Sequence, residues 1–478
     1  MGVEDRALRR LINVAAVAVT AASAAAIHAP APTAAAAAQR TDARDARGPL
    51  DLTEASLEQR DVRMFLRVAT AGPWTHAELR AGPQRTLCVT LAQGSPAVAR
   101  ARLCVTGSGS RPTLTYTALA ADGAPLRMRR LAARVAHPAH GLLEASFLPA
   151  AAGLRVGPYS WSVQSAWTDA GECAATCTDR LPDGGEVAAD LGLLGVPPCF
   201  GAAARDPSRP CDNPDLRLAV QPPPSRAKVL LDPYCDRRTH PGLLTTCAFG
   251  AAAGEAAGTF ALIGDSHAAS MKAPLEVVTL AKRWRGISIV RAACPATQAA
   301  APVLPTRERS RQCVQWNRDV IRWLNRQPAV QTVFLAAHAG AKVAPRGGRG
   351  MFATARAGYR DEIRRLLRTV RRVVVIRDVP KAADGHVGCV AALLEAGRPV
   401  GSECSQERGR AIRRDPLVAA ARATRSPRVT VVDLTNHFCD EQRCLAVVGG
   451  ALVHHDETHM TTAFSPTLGP FILRALDR

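Results

Sequence analysis

Hydrophobic and polar positions change rhythm twice along the chain. From about residue 60 to 170, short runs alternate with period two. "RTLCVTL" (85–91), "ARLCVTG" (101–107) and "TLTYTAL" (113–119) each put every second apolar residue on one face, as half-buried strands do. "GPYSWSV" (157–163) sets Tyr159, Trp161 and Val163 on a single face as core residues. Strands at this spacing, without helices between them, predict a small all-β sandwich over 60–170.

From 171 to 228 the alternation is lost. "RDPSRPCDNP" and "QPPPSR" cannot lie inside regular elements, because proline lacks the amide proton and fixes its own φ. The expectation is a Pro/Cys-rich linker pinned by its cysteines. From 229 to 478 short apolar runs alternate with amphipathic helices. "TFALIGD", "ISIVRA", "TVFLAA", "RVVVIRDV" and "VTVVDL" read as strands covered on both faces. "QCVQWNRDVIRWLNR" carries a helical stripe through Val314, Asn317, Ile321 and Leu324. "DEIRRLLRTV" carries one through Ile363, Leu366, Leu367 and Val370. The pattern predicts an α/β domain, a flavodoxin-like parallel sheet with helices on both faces.

Residues 1–40 have a different character. Arg6, Arg9 and Arg10 precede an apolar, Ala-rich stretch from Leu11 to about Ile27, with small residues following. That order is the order of an export signal, either cleaved or kept as an N-terminal anchor. The bulk of the chain is therefore expected outside the cytoplasm, periplasmic or secreted. Fourteen cysteines agree with an oxidising compartment. Local spacings suggest Cys88–Cys104, Cys235–Cys247, Cys294–Cys313, Cys389–Cys404 and Cys439–Cys444. Cys173 and Cys177 could pair with each other or reach Cys199 and Cys211. No C-x-x-C pair occurs, so neither metal nor cofactor is expected.

The formal charge of +20 is carried by 61 basic residues, only five of them lysine, scattered rather than clustered. Scatter of this kind reflects composition and excludes a dedicated nucleic-acid face.

Chemistry concentrates in two places. "ALIGDSH" (261–267) ends an apolar strand on Gly-Asp-Ser-His, which places Ser266 at the carboxyl edge of the sheet, where such folds bind their ligands. A serine hydroxyl is a poor nucleophile without a base. "HHDETHMTTAF" (454–464) offers Asp456 and His459 three residues apart, after the last strand. His459 can take the Ser266 proton, and Asp456 can orient the ring and favour its charged form. Neither motif is specific alone; their order within one α/β region is what points to a serine hydrolase. His267 either lines the pocket or caps the following helix, and His454 and His455 are expected at its rim.

At this point the chain resembles the SGNH (GDSL-type) hydrolase superfamily, and most nearly the SGNH domains found with acyltransferase-three O-antigen acetylases. The resemblance covers about residues 230–478 and rests on "LIGDSHA", "AACPA", "QCVQWNRDVI", "TVFLAAHAG", "HFCDEQRC" and "DETHMT". It implies Ser266 as nucleophile, His459 as base and Asp456 as its partner. It further implies O-acyl or O-acetyl transfer or hydrolysis on cell-surface or extracellular carbohydrate, with a separate membrane acyltransferase as the corresponding partner. Two family motifs are missing. "RAACPA" stands where a glycine motif is expected. "AAHAG" replaces Gly-x-Asn-Asp, with His338 near the asparagine position. The Ser266 N–H remains as an oxyanion donor; His338 is either a second donor or a structural imidazole. With those motifs gone, the other class of function consistent with the sequence is a non-catalytic glycan-binding or assembly protein.

Overall fold

The computed structural model describes residues 39–79, 85–94, 99–108, 111–168, 177–229, 235–299 and 302–477. The export segment lies almost wholly outside them, as does Cys173. The described residues belong to one compact unit.

The N-terminal half is β-rich. One antiparallel sheet holds, in spatial order, Arg40–Thr41, Leu52–Arg60, Arg63–Thr70, Leu142–Phe147 and Ala133–Ala139. A second runs Cys177–Leu181, Gly157–Trp167, Arg85–Gln93, Ala99–Ser108, Arg111–Leu119 and Pro125–Arg130. Alternate residues of both, among them Leu66, Phe147, Leu103, Trp161 and Val163, share one buried apolar cluster. The strands extend beyond the 60–170 expected. Leu52–Arg60 precedes that span. Cys177–Leu181 and Val187–Leu191 both pair with Gly157–Trp167, although they fall in the segment read as a linker. Proline and cysteine density around them hides two five-residue strands whose backbone groups are satisfied by a neighbour already in place.

The C-terminal half is built on a seven-stranded sheet. Its order is Arg237–Thr239, Thr246–Gly250, Trp284–Val290, Gly258–Gly264, Val330–Ala336, Arg372–Ile376, Val429–Val432. The last five are parallel to one another, as expected. The first two are antiparallel, so the sheet is mixed rather than wholly parallel. The hairpin-like addition follows from chain order: both strands precede the first parallel strand and reach the sheet edge without a crossover helix. Helices Lys272–Lys282, Arg307–Leu324, Met351–Thr369 and Pro416–Thr424 connect the parallel strands. Helix Arg307–Leu324 buries Cys313, Trp316, Asn317, Val320, Trp323 and Leu324, a face rotated from the stripe expected through Val314 and Ile321. The Cys294–Cys313 bridge lies on that buried face. None of the helices is long and apolar enough to cross a membrane, among the described residues.

All five local disulfides expected from spacing are present. Cys199 pairs with Cys211, which removes both as partners for Cys173 or Cys177; Cys177 is itself disulfide-bonded. Two of the bridges brace loops of the C-terminal half: Cys439–Cys444 closes a five-residue step and Cys389–Cys404 anchors the helix His386–Glu395. The two halves meet through side chains as well as backbone. Arg63 of the β-rich region reaches Glu276, which also holds Lys272, and Ala202 N–H donates to Thr467 Oγ1 at 2.9 Å.

Glu362, fully buried in helix Met351–Thr369, accepts from Gln298 through one oxygen, while the other has no partner. Burial pushes its pKa up to about 7, against the Gln298 hydrogen bond. The native state therefore holds this proton where the unfolded chain has lost it. Stability falls as pH rises from the ordinary glutamate range to about 7, and the penalty stays constant above that. Glu362→Gln should raise stability by on the order of 2–3 kcal/mol at pH 8 and leave it unchanged near pH 4. Denaturant melts at the two pH values check this; equal gains at both would contradict it.

Candidate active site

The strand Gly258–Gly264 is apolar and, from Phe260 onward, wholly buried, so its polar continuation is delivered at the sheet's carboxyl edge. Gly264 makes the turn. Its φ is +153°, and a Cβ there would lie 1.9 Å from the Ala336 carbonyl oxygen of the neighbouring strand. Asp265 caps the short helix Ser266–Ser270, accepting the His267 N–H at 2.9 Å. Its second oxygen accepts the His338 N–H at 2.9 Å, which fastens two strand ends together. Buried at 2% exposure, Asp265 has its pKa raised chiefly by that burial. Ser266 thus sits on the first residue of a braced helical turn.

The segment after the short strands Val447–Val448 and Ala451–Leu452 brings the other residues across. A backbone bridge between His454 and Met460 and a 2.9 Å bond from His455 N–H to the His459 carbonyl close a tight turn. Within it, Asp456 Oδ1 accepts the N–H groups of Thr458 and His459, both at 2.8 Å. The His459 ring lies between two partners. Nδ1–H donates to Asp456 Oδ2 at 2.9 Å and Oδ1 at 3.1 Å, and Nε2 accepts the Ser266 hydroxyl at 2.8 Å. Burial pushes the Asp456 carboxyl up, but the amides of Thr458 and His459 and the His459 ring outweigh it and hold its pKa at about 2. Asp456 is a carboxylate throughout the neutral range, so the tautomer with the proton on Nδ1 is favoured.

His267 and His338 stand beside this pair. The His267 ring stacks on His338 at 4.4 Å between centroids and is 4.8 Å from His459. His267 does not cap the helix. It is buried, and its Nδ1–H donates to Asp378 Oδ1 at 2.6 Å. Burial lowers its pKa, yet the bonded Asp378, helped by Asp265 and Asp456, carries it above the ordinary histidine value. His338 moves the other way. Burial, His267 and Arg413 bring its pKa down to about 4, against the pull of Asp378. Arg413 donates to His338 Nε2 at 2.9 Å, so that nitrogen is an acceptor and only Nδ1 can carry a proton to a ligand. Gly340 leaves the space: a Cβ there would fall 2.2 Å from the Arg413 guanidinium.

Asp378 and Arg413 were not singled out from the sequence. Asp378 follows the strand Arg372–Ile376 as Asp265 follows Gly258–Gly264, so a polar residue closing an apolar run was the available signal. Its carboxylate also accepts the Ala339 and Val379 amides at 2.7 and 2.9 Å, and Asp415 accepts the Asp378 N–H at 3.1 Å. Of the two rim residues expected, His455 is partly exposed, but His454 is buried at 3% with both ring nitrogens unpartnered, and burial takes its pKa down to about 3.

A serine at the end of a parallel strand, hydrogen-bonded to a histidine that a carboxylate orients, is the arrangement of a serine hydrolase or acyltransferase. Residues 234–474, half of the chain, match the family described as SGNH domain (fused to AT3 domains), and the chain belongs to that family. Among solved structures, the periplasmic domain of a lipopolysaccharide acetyltransferase from Salmonella ser. Paratyphi A is similar over 47% of this chain and 85% of that one, at 16% identity and a TM-score of 0.36. No curated protein matches.

Proposed function

We propose that the protein is an exported serine enzyme that transfers or hydrolyses O-acyl groups, acetyl above all, on cell-surface or extracellular carbohydrate. The observation that carries this is the unbroken hydrogen-bond line from Ser266 Oγ through the His459 ring to Asp456. In this reading His459 Nε2 takes the hydroxyl proton as Ser266 Oγ attacks the ester carbonyl. The resulting imidazolium is stabilised by the Asp456 carboxylate, whose low pKa keeps it charged while the proton is in transit. The proton then passes to the departing alcohol, leaving an acyl-Ser266 ester. A second hydroxyl, from water or from a sugar, gives its proton to His459 and takes the acyl group. The two outcomes share all their groups and differ in whether a bound sugar outcompetes water by proximity. The Ser266 N–H is one oxyanion donor in this scheme. His338 Nδ1–H is available as a second, because Arg413 occupies Nε2.

Membership in a family fused to AT3 domains supports a membrane acyltransferase as the source of acyl groups, and disulfides support a compartment outside the cytoplasm. The purified protein should hydrolyse acetyl esters slowly, and a cell lacking the gene should lose O-acetyl groups from a surface glycan. Unchanged O-acetyl content in every surface glycan would refute the transfer reading. A rise would make the protein a deacetylase.

A further inference from the structure

The turn that carries His459 holds a third group that the serine chemistry does not use. His455 Nδ1 lies 3.7 Å from Asp456 Oδ2, the same oxygen that His459 Nδ1 reaches at 2.9 Å. The two imidazoles face one another across the turn, nearly parallel at 14° with centroids 5.7 Å apart. All three potential ligand atoms lie within 4.8 Å of one another. We propose that His455, Asp456 and His459 form a binding site for a divalent metal of the zinc type, and that filling it turns the serine site off.

The donor set is the one zinc prefers: two neutral imidazoles and a carboxylate, with a fourth position left for water. Ligand atoms on a tetrahedral zinc sit about 3.3–3.5 Å apart, given bonds of about 2.0–2.2 Å. The two His–Asp separations bracket that spacing, and the two ring nitrogens, within 4.8 Å of one another, close on the ion as the turn tightens around it. The Thr458 and His459 amides on Asp456 hold the carboxylate in place, as groups bonded to a metal's ligands do. The turn is open to ions, with the Asp456 side chain 43% exposed and that of His459 27%. The other acidic clusters among the described residues contain carboxylates alone.

The inhibitory half rests on the serine-enzyme reading; the binding half does not. In the working tautomer the His459 proton is on Nδ1 and the Nε2 lone pair faces Ser266. A metal ion on Nδ1 requires a free lone pair on Nδ1, so the neutral ring must carry its proton on Nε2. The proton moves through solvent from one nitrogen to the other, with none gained or lost by the ring. His459 then donates to Ser266 Oγ and can no longer accept from it. The same ion holds Asp456, so both partners of the serine are withdrawn together.

Binding is best measured on Ser266→Ala protein, with Zn2+ competed against a chromophoric chelator and Co2+ followed by its visible absorption. One ion per chain with intense, tetrahedral-type Co2+ bands is expected, and His455→Gln on the same background should weaken binding at least tenfold while melting at the same temperature. Wild-type ester hydrolysis should fall on adding Zn2+ and return on chelation, and the His455→Gln enzyme should need at least tenfold more Zn2+. Equal Zn2+ affinity with and without His455, or no binding at 1 mM Zn2+, overturns the site. Wild-type hydrolysis that persists with the site filled overturns the switch. Metal binding that depends on His455, in a protein that hydrolyses no ester, would uphold the site and count against the serine-enzyme reading instead.

Discussion

Ser266→Ala and His459→Ala should each lower the turnover of a short aryl acetyl ester by about ten-thousand-fold or more, and the double variant should be no worse than either. The reason is that the two groups act on one proton. Without the hydroxyl there is nothing to acylate; without Nε2 the hydroxyl keeps its proton. Asp456→Asn should cost less than either, though still at least a hundredfold, because the amide can no longer enforce the tautomer with Nδ1 protonated. These effects belong to the chemical step and should leave the fold intact, since Ser266 is only half-buried and supports no core packing. Steady-state kinetics with matched thermal melts checks the series. Wild-type turnover in Ser266→Ala would reject the assignment.

The second large effect is structural. Gly264→Ala should destabilise the protein by at least about 3 kcal/mol and abolish turnover together with it. Two penalties coincide at this position. The φ of +153° is a backbone conformation that side chains disfavour, and the added Cβ would meet the Ala336 carbonyl oxygen at 1.9 Å and the Ala268 Cβ at 2.7 Å. Neither neighbour can swing away, because Ala336 is paired in the sheet and Ala268 is buried in the helix that carries Ser266. Relief would have to come from moving the strand end, which is the element that places the hydroxyl. Chemical denaturation measures the loss; an unchanged unfolding midpoint would contradict this account of the turn.

The five parallel strands were legible because each is a short apolar run flanked by helix-period segments. Ser266 was legible because a polar motif ends one of those runs, and Asp456 and His459 because a cluster of polar and histidine residues follows the last of them. What escaped the sequence was decided by partners distant along the chain. Thr246–Gly250 is five residues long with every position buried, so it carries no period to read, and only its pairing with Trp284–Val290 makes it a strand. Cys177–Leu181 and Val187–Leu191 are strands because Gly157–Trp167 offers an edge to each. His338 and His267 were identified as site residues, but their opposite electrostatics could not be read. They follow from Arg413 and Asp378, which lie 75 and 111 residues away. Helix Arg307–Leu324 buries a face rotated from the expected stripe, one that carries Trp316, Trp323 and the disulfide-bonded Cys313.

The most direct measurement of the central claim is covalent. Folded protein treated with a fluorophosphonate, then digested and mapped by mass spectrometry, should carry one adduct on Ser266, and His459→Ala should carry almost none under the same conditions. Folded wild-type protein that takes up no label, or takes it up at another residue, would contradict a nucleophilic Ser266 and leave a glycan-binding protein on a hydrolase fold as the better reading.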